Sequence, residues 1–138
     1  MSPSAVGYSG TPLPKKLGIR PGDDVVFVNA PDDLPAALGP LPDGVRVKQV
    51  ARGPLDVAVL FVTRRAEFQR RLGRLQDAVV TAGGLWIAWP KRASGVATDM
   101  TEDVVREVGL PTGWVDNKVC AIDATWSGLR LVRRRENR

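Results

Sequence analysis

The sequence contains no histidine among its 138 residues. Histidine is the commonest general base near neutral pH and the commonest metal ligand, so histidine-based catalytic triads and zinc sites of the Cys/His type are excluded. Acid–base chemistry would depend on Asp, Glu, Lys, Tyr or Cys side chains. No spacing of carboxylates is typical of a metal site, so we predict neither a metal nor a catalytic residue set.

Cysteine is nearly absent as well, because Cys120 is the only one in the chain. A single cysteine cannot form an intramolecular disulfide, which is typical of proteins in a reducing compartment. The sequence also lacks an apolar run of about 18 residues, so no transmembrane helix is expected. Its first residues show no basic segment followed by an apolar core, unlike a secretory signal. We therefore expect a cytoplasmic protein that does not contact a membrane.

The positive charge is concentrated at the C-terminal end of the sequence. The formal net charge is +5, and the last nine residues, RLVRRRENR, hold five arginines and one glutamate. The rest of the chain is therefore close to neutral. Such a tail is either solvated or in contact with a polyanion such as nucleic acid. We expect the solvated tail and no nucleic-acid partner.

Three apolar runs without alternation predict strands that are buried on both faces, as in a parallel sheet: residues 24–30, 56–62 and 84–90. Segment 45–50 alternates apolar and polar residues, which predicts a half-exposed strand near an edge. Segments 115–123 and 127–134 flank a short connection and predict an antiparallel pair. Gly83 and Gly84 are expected to end the preceding helix and to start the strand.

Helices are predicted between these strands. Segment 65–80 has one apolar face, formed by residues at helical spacing: Phe68, Leu72, Leu75 and Val79. Shorter helices are predicted at 31–41 and 98–110, the second capped by Asp99 with Glu102 three residues on. Alternating strands and helices predict an α/β fold, a three-layer Rossmann-like, mostly parallel sheet with a C-terminal antiparallel hairpin.

The predicted organisation is one domain with two short extensions. Residues 1–20 form an N-terminal arm, residues 21–134 a single Rossmann-like α/β domain, and residues 135–138 a basic tail. Prolines and glycines make the start of the arm irregular. Three polar residues of the arm either lie over the strand ends as a lid or belong to an unstructured arm: Tyr8, Ser9 and Thr11.

Part of the chain resembles the plan of class I methyltransferases. The resemblance is strongest from residue 56 to 134, where DVAVLFV, a helix, GGLWIAWPK, a second helix and two strands follow one another. That family has a parallel sheet closed by an antiparallel hairpin. The segment VVTAGGLWIAWPK is similar to the helix, Pro-Gly-Gly and hydrophobic strand of the family. The resemblance implies a Rossmann-like fold.

The cofactor half of that plan is different in this sequence. The family places a glycine-rich turn after the first strand and a carboxylate for the ribose at the end of the second. Here the turn reads NAPDDLPAALG, and the second strand, VRVKQVARG, ends without a carboxylate. A G-x-G-x-x-G dinucleotide turn is also missing. The sequence therefore predicts no cofactor.

A second resemblance covers nearly the whole chain. The segments GYSGTPLPKKLGI, LFVTRR, GGLWIAWPK, TEDVVRE and VDNKVCAIDATWSGL are similar to the signatures of an uncharacterised family of small bacterial, largely actinobacterial, proteins. This resemblance implies a cytoplasmic protein of one domain and names no reaction.

A binding site is expected where the parallel strands end. Ligands of open α/β sheets bind outside the carboxyl ends of the strands. There, cations, hydroxyls and free backbone N–H groups favour an anion. The predicted anion rim consists of Thr63, Arg64, Arg65, Lys91, Arg92 and Ser94. Three further residues at strand ends are candidates for lining a pocket beside the rim: Asn29, Asp32 and Trp89.

These observations favour a binding protein over an enzyme. We expect a non-catalytic Rossmann-like domain that binds a small anionic ligand or a protein partner, because neither a triad nor a cofactor turn is present. One alternative is a minimal S-adenosylmethionine-dependent methyltransferase, and a second is a nucleic-acid-associated protein that uses its basic tail. Pairing of an exposed edge strand such as 127–134 with a second copy would give a homodimer.

Overall fold

A computed structural model describes residues 10–138 and shows six strands in one sheet. Along the sheet the strands stand in the order β2-β1-β3-β4-β6-β5. Strands β1 to β4 are parallel, whereas β6 is antiparallel to both of its neighbours. The predicted mostly parallel sheet with a C-terminal antiparallel hairpin is therefore confirmed. The strand bounds are Asp24–Val28 (β1), Arg46–Lys48 (β2), Leu55–Phe61 (β3), Val79–Pro90 (β4), Trp114–Ala121 (β5) and Trp126–Arg133 (β6).

Helices cover both faces of this sheet, as a three-layer fold requires. Apolar residues of α1 and α2 pack against one face, and those of α3 and α4 pack against the other. Side chains of a strand alternate between the faces, so a central strand that is covered twice must be apolar throughout. The helix bounds are Leu13–Lys16 (α1), Leu34–Leu38 (α2), Arg65–Ala78 (α3) and Glu102–Gly109 (α4). No helix of residues 10–138 is long and apolar enough to cross a membrane.

The segment around α1 is part of the hydrophobic core. Leu13, Leu17 and Ile19 are buried in the cluster that also contains Trp86. The Trp86 indole Nε1 donates a hydrogen bond of 3.0 Å to the Leu17 carbonyl oxygen. This bond satisfies two polar groups that are both buried. The part of the predicted arm that the structure describes is therefore packed on the sheet from Leu13 onward.

Strand β4 begins earlier than the sequence indicates. It starts at Val79, directly after α3, so that Gly83 and Gly84 lie inside the strand instead of at its start. The pairing of β3 with β4 shifts register between Leu55 and Val57. A Cβ on Gly83 would lie 2.7 Å from the Asp56 carbonyl oxygen, so the close approach of β3 requires glycine there. The expectation that the glycine pair separates helix from strand is wrong for this reason.

The C-terminal hairpin is arranged differently from the edge expected for residues 127–134. Strand β6 lies between β4 and β5 and is hydrogen-bonded on both sides, so it cannot pair with a second copy. The free edge at this end of the sheet belongs to β5. A dimer through segment 127–134 is therefore excluded, whereas the formation of a homodimer as such stays a prediction.

The N-terminal cap of α4 is a different residue from the one predicted. The Thr101 hydroxyl accepts a hydrogen bond of 3.1 Å from the Val104 backbone N–H. Asp99 instead accepts a bond of 2.7 Å from the backbone N–H of Arg65, the first residue of α3. The carboxylate thereby satisfies one of the orphan donors at the start of another helix. The sequence gives no sign of this bond, because Asp99 directly precedes the region of α4 and its partner Arg65 is 34 positions away in the chain.

Candidate functional site

The exit of β1 makes a sharp turn at Asn29. Asn29 has a φ of 59°, the left-handed conformation that asparagine adopts more readily than most other non-glycine residues. Its side-chain Nδ2 donates to the Phe61 carbonyl oxygen at 3.3 Å and to Glu67 Oε2 at 3.1 Å. Asn29 therefore joins the carboxyl ends of β1 and β3 to the first turn of α3. The turn contains no glycine, but its backbone follows the path that glycine usually provides.

Glu67 is held in its charged form within this network. Its Oε2 also accepts a hydrogen bond of 2.9 Å from Arg71 Nε, one helical turn further along α3. The hydrogen bond from Arg71 lowers the pKa of Glu67, and the bond from Asn29 adds to that effect against the opposing effect of burial. A carboxylate that accepts two donors orders the side chains at this end of the sheet.

An open cleft of about 890 Å³ lies beside the exit of β1. Its floor is the α3-side face of β1 around Val26 and Val28, and its walls are the β2–β3 connection and α3. Polar and apolar groups contribute about equally to its surface. The polar side chains around it are Asn29, Gln49, Arg52, Arg71, Arg74 and Asp77.

Of the nine rim and pocket residues predicted from sequence, only Asn29 lines this cleft. Gln49, Arg71, Arg74 and Asp77 were not expected there. The last three lie on the polar side of the helix that the sequence predicts, and their position over β1 depends on how α3 crosses the sheet. Gln49 follows the edge strand directly, so the strand-end rule could have identified it.

The predicted rim residues at the ends of β3 and β4 mostly have protein partners. Arg65 pairs with Glu107 at 2.9 Å. Lys91 Nζ donates to the Asp123 carbonyl oxygen at 2.7 Å. The Ser94 hydroxyl donates to the Lys91 carbonyl oxygen at 2.7 Å, and the Thr63 carbonyl oxygen accepts from the Thr98 hydroxyl at 2.6 Å. These contacts connect the two loops to α4 and to the β5–β6 turn.

The other predicted site residues lie at separate places. Arg64, Arg92 and Asp32 are exposed to solvent, and neither arginine forms an ion pair within residues 10–138. Trp89 is buried in the core on the α3 side, where Met100 belongs to the same cluster. The participation of the rim and of these residues in binding stays a prediction.

The polar residues suggested as a lid are placed in part. Tyr8 and Ser9 lie outside the described residues. Thr11 lines a surface cleft beside β5 together with Lys118 and Cys120, and this cleft is distinct from the one at β1.

Burial raises the pKa of the Cys120 thiol. A raised pKa favours the thiol over the nucleophilic thiolate.

Arginines near the C-terminal end of the chain are used partly for packing. The Arg133 guanidinium lies 4.6 Å from the centroid of the Trp114 ring and donates to three carbonyl oxygens around the start of β4. Arg138 Nε donates to the Arg133 carbonyl oxygen at 2.9 Å. These contacts are those of a structural arginine that stacks on an aromatic ring. The expectation that the tail has no nucleic-acid partner stays a prediction.

Similar solved structures identify the type of fold. The fold is that of class I methyltransferases. Magnesium protoporphyrin IX methyltransferase from Synechocystis, solved with bound S-adenosylmethionine, is 12% identical to the chain with a TM-score of 0.54, and the match covers 83% of this chain and 71% of that one. A putative type 11 methyltransferase from Sulfolobus solfataricus is 12% identical with a TM-score of 0.56, covering 81% and 85%.

A third similar structure comes from a different organism. An S-adenosylmethionine-dependent methyltransferase from Aquifex aeolicus is 13% identical with a TM-score of 0.54, and the match covers 85% of each chain. No protein-family model matches the sequence, and no curated protein is similar to it. At such low identity the likeness shows a shared fold.

These similarities correct the function expected from the sequence. The expectation of a non-catalytic domain that binds a small anion or a protein partner is wrong as the leading interpretation, because the similar structures are methyltransferases. The comparison favours the alternative, an S-adenosylmethionine-dependent methyltransferase. The missing glycine-rich turn is a weaker guide to the type of fold than the strand order.

Proposed function

We propose that this protein is an S-adenosylmethionine-dependent methyltransferase of minimal size. The observation that carries the proposal is the strand order, in which parallel strands β2-β1-β3-β4 are followed by β6 inserted antiparallel between β4 and β5. Solved methyltransferases, one with bound S-adenosylmethionine, superpose on this arrangement. When bound, that cofactor supplies a methyl group on a positively charged sulfur for transfer to a nucleophile.

Two residues at the strand ends, Asn29 and Gln49, have side-chain amides that can form hydrogen bonds with a nucleoside cofactor. The glycine-rich turn is replaced by the left-handed Asn29 and the small Ala30, which leave the backbone exposed after β1. Gln49 follows β2, where the family has a carboxylate, and its side-chain amide can also accept a hydrogen bond from a ribose hydroxyl. Asn29 and Gln49 line the same cleft, whose volume suits a nucleoside.

The chain positions these groups before any ligand binds. The hydrogen bonds from Asn29 to Glu67 and to the Phe61 carbonyl hold the exit of β1 in one conformation. The apolar side chains of Val28 and Val50 beside them provide a surface for a flat aromatic base. A site that is already ordered loses less entropy when it binds.

The acceptor of the methyl group would approach over the rim. The exposed Arg64 and Arg92 follow the ends of β3 and β4, at the same edge of the sheet as Asn29. Their guanidinium groups can orient an acceptor by hydrogen bonding. We therefore retain the rim as a proposal for substrate orientation.

Calorimetric titration with S-adenosylmethionine and with S-adenosylhomocysteine tests the proposed function. We expect both to bind with micromolar affinity. Gln49→Ala should weaken binding at least fivefold, because it removes the amide at the end of β2. Gln69→Ala, which removes an exposed glutamine of α3 outside the cleft, is the matched control and should leave binding unchanged.

Absence of binding at millimolar concentrations of either compound would end the proposal. If Gln49→Ala binds as tightly as the wild type, the cofactor site does not lie in this cleft. Two further expectations stay predictions beside this one. They are membership of the uncharacterised bacterial family, for which no family model gives support, and a cytoplasmic location.

A further inference from the structure

Arg130 is a half-buried cation in the middle of the sheet. It lies on β6, opposite Trp86 of β4 and opposite Lys118 of β5. Its Nε is shielded from solvent and has no hydrogen-bond partner. A buried polar atom of this kind lowers stability, since it has lost its bonds to water without replacement. Among the residues the structure describes, it is the only side-chain nitrogen or oxygen in this situation.

No acidic side chain among residues 10–138 forms an ion pair within 4.0 Å with this guanidinium. None of the ion pairs within residues 10–138 includes Arg130, and residues 1–9 contain no Asp or Glu. Burial lowers the pKa of Arg130, and the neighbouring positive charges of Arg138 and Arg20 lower it further. Like charges on directly opposed strand residues, here Lys118 and Arg130, also lower stability.

The guanidinium lies beside a small pocket at the amino ends of the parallel strands. This pocket has a volume of about 290 Å³ and is lined by Arg20 and Arg130 among others. Gly84 makes room for the side chain, because a Cβ there would lie 2.7 Å from Cζ and Nη2 of Arg130. The strand therefore has a glycine where the arginine needs space.

Two carboxylates also line this pocket, and each has a backbone donor of its own. Asp23 accepts a bond of 2.9 Å from the Arg20 N–H, and Asp56 accepts one of 2.8 Å from the Asp24 N–H. Neither is within 4.0 Å of the Arg130 guanidinium. They restrict the space in which a ligand can reach Arg130 and leave the guanidinium without a partner.

We propose that this pocket binds a phosphate group between Arg130 and Arg20, at the opposite edge of the sheet from the cofactor cleft. Arg130 and Arg20 line the pocket, and Arg138 adds positive charge near Arg130, which favours a dianion over a single carboxylate. The planar guanidinium binds phosphate oxygens in pairs. The volume suits inorganic phosphate or the phosphoryl end of a small metabolite. The site goes beyond the proposed methyl transfer and does not depend on it.

Thermal unfolding with inorganic phosphate tests the site, with sodium chloride at equal ionic strength as reference. The wild type should gain several degrees in Tm from 10–20 mM phosphate beyond the gain from chloride. Arg130→Met keeps the hydrocarbon stem, removes the charge and should abolish the phosphate-specific gain. Arg70→Met, which removes an exposed cation of α3, should retain it.

Two further measurements separate a binding role of Arg130 from a packing role. Without phosphate, Arg130→Met should unfold at the same temperature as the wild type or higher, because an uncompensated charge has been removed. Asp56→Asn keeps an acceptor for the Asp24 N–H and removes a negative charge, so it should bind phosphate at least threefold more tightly. A phosphate-specific gain that survives in Arg130→Met, or is absent from the wild type, overturns the site.

A binding assay with a short single-stranded RNA distinguishes the source of the phosphate. A free phosphate ligand predicts that inorganic phosphate binds in an Arg130-dependent way, whereas RNA binds equally to the wild type and Arg130→Met. RNA binding that requires Arg130 would assign the pocket to a backbone phosphate of nucleic acid. Both results support the proposed phosphate site only if Arg70→Met binds phosphate and RNA as the wild type does.

Discussion

Asn29 and Glu67 are joined by a hydrogen bond of 3.1 Å between Nδ2 and Oε2, which ties the exit of β1 to the first turn of α3. Arg71 donates to the same oxygen from one turn further along the helix. The carboxylate must be ionised to accept both bonds at full strength. The conformation of the proposed cofactor cleft is therefore linked to the protonation of one side chain.

The stability of this network should depend on pH. The folded-state pKa of Glu67 is below its ordinary value of 4.5, so its contribution is fully present above that pH and is lost as the pH falls through the folded value. At pH 7 Glu67→Gln should unfold about 0.5–1 kcal/mol more easily than the wild type. Urea denaturation from pH 7 to pH 3 should show this difference shrinking below pH 4.5.

Two arginine variants provide the controls for that measurement. Arg71→Gln removes the hydrogen bond that lowers the pKa most, whereas Arg70 acts on Glu67 through charge alone. Arg71→Gln should therefore reduce the pH dependence more than Arg70→Gln does. A difference between wild type and Glu67→Gln that stays constant down to pH 3 would contradict the assignment.

Two glycines should respond in opposite directions to replacement by alanine. In Gly83→Ala the new Cβ would lie 2.7 Å from the Asp56 carbonyl oxygen and equally near Val79 Cγ1, so we expect a loss of about 1–3 kcal/mol. Gly73 lies on an exposed side of α3 with open space around it, and Gly73→Ala should gain about 0.5–1 kcal/mol from helix propensity. Chemical denaturation measures both. Equal effects of the two substitutions would argue against the described path of β4.

The bond between Trp86 and Leu17 should contribute measurably to stability. Trp86→Phe leaves the buried Leu17 carbonyl oxygen without its donor, in addition to the loss of packing. Trp89 is buried in the opposite cluster, and its indole makes no hydrogen bond within residues 10–138. Trp86→Phe should therefore cost about 1–3 kcal/mol more than Trp89→Phe. Denaturation followed by far-UV circular dichroism avoids the change in tryptophan fluorescence, and equal costs would show that the bond is unimportant.

Local patterns predicted most of the secondary structure. The apolar runs at 24–30 and 56–62 correspond to β1 and β3, because strands covered on both faces need apolar side chains at every position. The face of Phe68, Leu72 and Leu75 corresponds to the buried side of α3, because helical spacing brings these residues together. Both signals lie within a single element and need no knowledge of its neighbours.

Features that depend on the neighbour of an element were predicted less well. Gly83 and Gly84 suggest an interruption, but they lie within β4 because Asp56 and Arg130 approach the strand closely there. Asp99 suggests a cap for the helix that follows it, but its carboxylate reaches the first N–H of α3. In each case the partner is distant in sequence.

The amino-acid order was enough to establish the α/β class, the parallel strands and the closing hairpin, since periodicity and turn residues act over a few positions. It also placed Asn29 at a strand end where ligands bind. Only the tertiary structure decided which cationic side chains are paired with other groups of the protein. Arg65 and Lys91 are bound by Glu107 and by the Asp123 carbonyl, whereas Arg130 is without an acidic partner among residues 10–138. The pairing of a charge depends on groups that the folded chain brings within a few ångströms, and sequence spacing does not encode those distances.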